Sequence, residues 1–126
     1  MPTWGYSVTN LDPDRTAIAS GRNLPISFKH AVEICREIRG KPLEDAVRFL
    51  EDVIKMKRMV PFRRFHGKVA HHKGLQGWPA GRYPVKAAKA ILEVLKNARA
   101  NAEYKGLDVS RLWVAHAAAQ QGFRIK

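Results

Sequence analysis

The sequence predicts an α+β domain, and three observations carry that expectation. Three stretches repeat apolar residues at helical spacing, two short runs alternate apolar with polar residues, and a glycine- and proline-rich segment between the second and third helical stretches follows neither period. The 126 residues suffice for one domain, 1–126, with a buried core, and 45% hydrophobic with 27% charged residues is the composition of a folded protein. The net charge of +12 is unevenly held. Between Val53 and Leu92 stand ten lysines and arginines and no acid, while the other residues are nearly balanced. Such a window asks for a polyanion.

Trp4, Tyr6 and Val8 alternate with Thr3, Gly5 and Ser7, the period of a short half-buried strand, and Asp12-Pro13-Asp14 turns the chain. Residues 16–25 form a connector that holds Arg22. Ser27 is a good N-cap for the first helix, SFKHAVEICREIRG, with Phe28, Ala31, Val32, Cys35 and Ile38 on one face and Gly40 as its stop. Lys29 and His30 fall in its first turn, where the helix dipole disfavours cations and the free N–H groups suit a phosphate. Pro42 opens the second helix, PLEDAVRFLEDVIKMK, with Leu43, Ala46, Val47, Leu50, Val53 and Ile54 as its apolar stripe and Glu44 and Asp45 at the end the dipole favours. Only Gly40 and Lys41 separate these helices, so they pack as neighbours.

Residues 60–83 read as a long loop, because Gly67, Gly74, Gly77, Pro79 and Gly81 interrupt any periodicity. The loop interleaves Arg63, Arg64, Lys68, Lys73 and Arg82 with Phe62, Phe65, Trp78 and Tyr83, and Arg58 precedes it. Cations alone bind any polyphosphate by counterion release, whereas aromatic rings among them stack on unpaired bases or pack on a folded nucleic acid. Phe62 reads better as an anchor to the body. His66, His71 and His72 lie close together without a second cysteine or a nearby carboxylate, so they read as extra donors rather than a zinc shell.

Pro84 opens the third and longest helix, ending at Gly106, with Ala88, Ile91, Leu92, Leu95, Ala98 and Ala102 buried and Lys86 and Lys89 extending the basic surface. Leu112, Val114, His116 and Ala118 then alternate with Trp113, Ala115, Ala117 and Ala119, which predicts a strand over 112–119 before Arg124 and Lys126.

The single Cys35 excludes an intramolecular disulfide and reads as a small buried hydrophobe. No apolar run approaches the roughly eighteen residues of a membrane span, and the N-terminus lacks the pattern of a signal peptide, so a cytoplasmic protein with no membrane partner is expected. Asp12 and Asp14 flank Pro13 with no partner base, and neither a phosphate-binding glycine loop nor a nucleophile elbow is present. No catalysis and no cofactor are expected. Charge and aromatics do not by themselves separate RNA from DNA, so a DNA-compacting protein is the competing expectation.

Three passages resemble the large-subunit ribosomal protein family numbered twenty-two in the universal scheme, in its archaeal and eukaryotic branch: residues 27–41, residues 60–108 with their VPFRR, GW, GRYP and NARANAEYKGLD elements, and LWVAHAAAQQG at 112–122. The resemblance spans the chain. It implies three helices packed on a small antiparallel sheet, and a structural, non-catalytic protein bound to large-subunit ribosomal RNA near the polypeptide exit tunnel. Its partners would be that RNA and neighbouring large-subunit proteins around the tunnel exit, with no homo-oligomer. Such proteins extend a hairpin along the tunnel wall; here residues 112–126 would be its outgoing arm, with the tip and return strand missing. Carried over by position, the RNA contacts are Arg22, Lys29, His30, Arg39 and Lys41 around the first helix and Arg58, Arg63, Arg64, His66, Lys68, His71, His72 and Lys73 in and before the loop. Trp78, Arg82, Tyr83 and Lys86 follow, and then Arg124 and Lys126 on the arm.

Overall fold

A computed structural model describes residues 14–22, 24–71 and 78–121. The predicted strand at Trp4 to Val8 and the cations His72, Lys73, Arg124 and Lys126 lie outside the described residues. Three helices dominate: α1 (Phe28–Ile38), α2 (Leu43–Ile54) and α3 (Val85–Tyr104). Two short strands, β1 (Val60–Pro61) and β2 (Gly81–Arg82), stand between α2 and α3, and a single 3-10 turn (Val109–Arg111) follows α3. The α+β expectation holds.

The helix ends follow local chemistry. The Ser27 hydroxyl accepts the His30 N–H at 3.3 Å and caps α1. Gly40, at φ 84°, and Gly106, at φ 78°, turn the chain out of α1 and α3 in the left-handed conformation. At the end of α3 the Leu107 N–H donates to the Ala102 carbonyl at 3.0 Å and the Gly106 N–H to that of Glu103 at 2.9 Å, the Schellman pattern. The second helix stops at Ile54, short of Lys57, because the same pattern is built there without glycine. Met56 takes φ 60°, its N–H donates to Val53 at 3.0 Å, and the Lys57 N–H donates to Asp52 at 2.8 Å.

The core lies between α2 and α3, with α1 packed against α3 and β1. Ala46, Ala87 and Ala88 are buried where these helices meet, and small side chains there let the backbones approach closely. Ile34, Phe49 and Leu50 supply much of its volume. The buried arc of α1 is wider than the predicted face. Ala31, Cys35 and Ile38 are buried as expected, but so are Glu33 and Ile34, while Phe28 and Val32 are only half-buried. A helix covered on two sides has no narrow apolar stripe. Burial pushes the Cys35 thiol up, against a smaller opposing effect of Arg39, so it is an inert core residue.

The sheet differs from the expected one. Val60 pairs with Arg82 and Pro61 with Gly81, antiparallel, so the two ends of the predicted loop form the strands. A segment that leaves and returns at one place sets its ends side by side, and their buried N–H and carbonyl groups then pair with each other. The strand predicted over 112–119 is a single bridge, Trp113 to Pro42. The Leu43 N–H donates to Leu112 at 2.9 Å and the Val114 N–H to Lys41 at 2.8 Å, which flank the bridge. Pro42 is tolerated because it occupies the position of an antiparallel pair that needs no N–H. The segment is thereby laid across the turn between α1 and α2. The connector runs along α3, where Lys105 Nζ donates to the Thr16 carbonyl at 2.7 Å and Asn101 Nδ2 to that of Ile18 at 2.8 Å. Among the described residues no helix is long and apolar enough to cross a membrane.

Candidate nucleic-acid interface

β1 leads directly into Phe62, and the exposed surface after it depends on how that residue is held. Its side chain is 1% exposed. Its N–H donates to the Ala80 carbonyl at 2.9 Å, its carbonyl accepts the Trp78 indole N–H at 2.8 Å, and the His30 ring packs on it with centroids 5.4 Å apart. The expected anchor is an anchor. Trp78 serves the same purpose from the other arm, half-buried with its polar atom satisfied.

Arg64 and Phe65 are fixed from beneath. Glu33 of α1 is 1% exposed, and its carboxylate accepts the Arg64 N–H at 3.3 and 3.2 Å and the Phe65 N–H at 3.5 Å. A buried carboxylate must be compensated, and backbone N–H groups do it here. The Arg64 guanidinium is therefore left to the outside, where that of Arg63 is exposed beside it. Arg63 lies 5.6 Å from the Trp78 ring centre, and Arg64 and Lys29 lie 5.1 and 5.7 Å from that of Phe65. Phe28 meets Phe65 edge-on at 6.4 Å and His66 meets Trp78 at 5.7 Å. Three cations thus stand over two aromatic faces. A cation held on a ring keeps its N–H donors available to a phosphate.

The family model for ribosomal protein L22p/L17e matches residues 19–126. The chain belongs to the ribosomal protein L22p/L17e family. It is 59% identical to the large ribosomal subunit protein uL22 of Archaeoglobus fulgidus, over 97% of this chain and 79% of that protein. The uL22 protein of Methanocaldococcus jannaschii is also 59% identical, over 92% and 74%, and that of Ignicoccus hospitalis 53%, over 100% and 82%. Membership makes this an archaeal-type structural ribosomal protein and not an enzyme.

In this L22-family chain the residues singled out from the sequence fall into separate groups. Lys29, Arg63, Arg64 and His66 meet around Phe65 and Trp78, as above. Lys68, at φ 62°, is exposed beyond them, and His71 pairs with Ala80. Lys41 and Arg58 meet elsewhere, their charged ends 4.2 and 4.8 Å from the ring centre of Phe49, a buried phenylalanine that the predicted stripe of α2 omits. Lys41 also lies 3.7 Å from Glu37. Arg39 donates to the Ala117 carbonyl at 2.9 Å and so fastens the segment after Val114. Arg22 is exposed in the connector along α3, Lys86 is exposed in the first turn of α3, and Tyr83 is half-buried. One residue with an evident role, Glu33, was not singled out, and Trp113 stands 63% exposed.

His30 is not a cation at neutral pH. Burial first, and the Arg82 charge second, hold its pKa below the ordinary 6.5. The unfolded chain therefore takes up this proton before the folded one does. The contribution of His30 to stability is complete above pH 6.5 and is lost as pH falls through the folded pKa. Urea midpoints measured at pH 7.5 and 5.5 are expected to fall less on acidification in His30→Asn than in the parent protein. Equal falls would show that His30 carries no linkage.

Proposed function

We propose that this chain is a structural constituent of the large ribosomal subunit, acting in the cytoplasm as a single domain that binds large-subunit ribosomal RNA near the polypeptide exit tunnel and supports subunit assembly. The observation that carries the reading is the surface of Lys29, Arg63 and Arg64 on Phe65 and Trp78, built on a buried anchor rather than spread along a solvated charge run. Cations at fixed spacing neutralise phosphates that a folded RNA brings together, and sequence enters through RNA shape more than through base edges. Lys68, His71, Arg82, Tyr83 and Lys86 extend the same surface. Lys41, Arg58 and Arg39 form a second contact region near the turn between α1 and α2, Arg22 adds a contact from the connector along α3, and His30, His66, His72, Lys73, Arg124 and Lys126 complete the set. The tunnel position and the neighbouring large-subunit proteins as partners rest on the family resemblance, as does the absence of a homo-oligomer.

Filter binding to a large-subunit ribosomal RNA transcript across a salt series tests the reading. If about six to ten phosphates are neutralised, log affinity is expected to fall against log salt with a slope of about −4 to −9. A slope near zero would remove the electrostatic basis, and equal affinity for duplex DNA of similar length would favour a DNA-compacting protein.

A further inference from the structure

We infer that Glu33 is a positioning residue that folds the 62–71 segment before any RNA arrives, and that this preformed shape is what selects folded ribosomal RNA over a flexible polyanion. The inference rests on the RNA-binding reading above and deepens it. Glu33 is the one charged side chain buried among the described residues. Among the described residues its carboxylate takes no arginine or lysine within ion-pair distance; it takes the backbone N–H groups of Arg64 and Phe65.

The choice of backbone over side chain matters. Were the carboxylate paired with a guanidinium, it would neutralise a cation the surface needs. Accepting N–H groups leaves the Arg64 charge outward, beside that of the exposed Arg63, and fixes the direction in which Arg64 leaves the chain. Two further bonds hold the segment at its start, Phe62 N–H to Ala80 and Trp78 indole N–H to Phe62, and the bridge between His71 and Ala80 closes its far end. The Glu33 bonds hold its middle. A surface ordered in advance does not lose conformational entropy when it docks, and it favours a partner whose phosphates already match its spacing. Flexible polyanions gain nothing from that match.

Glu33→Gln separates this account from simple electrostatics, because the two predict opposite signs. Removing a negative charge beneath cations raises attraction for any polyanion. Weakening of the positioning bonds affects only the partner that depends on shape: a glutamine oxygen in place of Oε2 can still face both N–H groups, but it carries no charge, and the amide nitrogen in place of Oε1 meets the Arg64 N–H, 3.3 Å away, donor to donor. The full chain is assayed against a large-subunit ribosomal RNA transcript and against poly(U), beside Ile38→Val, which lowers stability from the core by about 0.5–1.5 kcal/mol without touching the segment. Hydrogen exchange at the Arg64 and Phe65 amides is followed in the free protein.

In the parent protein these two amides are expected to be protected without RNA. In Glu33→Gln they exchange faster, ribosomal RNA affinity drops about tenfold or more, poly(U) affinity holds or rises, and the salt slope is unchanged because no cation is lost. Unprotected amides in the parent protein would overturn the inference, and so would unaltered ribosomal RNA affinity in Glu33→Gln. An equal loss for poly(U), or the same loss in Ile38→Val, would also overturn it by assigning the effect to general destabilisation. Failure of the parent protein to prefer ribosomal RNA over poly(U) would instead strike the RNA-binding reading itself.

Discussion

Phe62→Ala is expected to lower the free energy of unfolding by about 3–5 kcal/mol, seen in urea denaturation as a lower midpoint with an unchanged slope. Phe62 is 1% exposed and belongs to the same core cluster as Ile34, Val60 and Ala80. Truncation leaves a cavity that neighbours fixed on their own helix and strand cannot fully fill. The backbone bonds to Ala80 and from Trp78 survive on paper, since they use the Phe62 N–H and carbonyl, so the loss measures packing. The His30 ring, 5.4 Å away, loses its support as well. A loss below about 1 kcal/mol would show that the segment after β1 is attached to the body only by hydrogen bonds.

That Phe62 anchors the segment was legible because its neighbours are arginines: a large apolar ring inside a charged run has either a ligand or a core to reach. The helices were legible for a similar local reason. Ser27, Gly40, Pro42, Pro84 and Gly106 act through the backbone of their own turn, and no distant contact changes what they do. Met56 shows the limit of that reasoning. A left-handed residue without glycine carries no mark in the sequence, so the end of α2 was placed late.

What escaped was tertiary. Glu33 sits between Val32 and Ile34, and an acid at such a position reads as solvent-facing unless something covers it; the cover is a segment more than thirty positions away, as the separations of 31 and 32 residues to Arg64 and Phe65 record. Phe49 escaped because part of its cover is the charged ends of Lys41 and Arg58, which no apolar pattern marks as partners of a buried ring. The strand over 112–119 failed differently. Its alternation is real at Leu112, Trp113 and Val114, with Val114 buried and Trp113 exposed, but its partner is a helix turn of four residues, and a turn offers room for one bridge. The candidate surface was therefore legible as composition and not as geometry: the sequence named Lys29, Arg63 and Arg64 without showing that they share two rings.

Replacing Arg63 and Arg64 together with alanine is expected to reverse the pattern of Phe62→Ala. Ribosomal RNA affinity near physiological salt falls by about a factor of ten or more, and the magnitude of the salt slope drops by about 1.4–1.8, or 0.7–0.9 for each phosphate contact removed. The urea midpoint moves little. Each guanidinium lies over an aromatic face at the surface, an interaction of about 0.5–1 kcal/mol at most, and the Arg64 N–H to Glu33 is retained because alanine keeps it. Binding and folding thus come apart at adjacent residues: Phe62 holds the segment to the core, and Arg64 faces outward beside the exposed Arg63 because Glu33 engages the Arg64 backbone and not its charge. An unchanged salt slope would mean that the two arginines touch no phosphate. A midpoint lowered as far as in Phe62→Ala would mean that they hold the fold, and the exposed cations of this surface would then have to be read as structural.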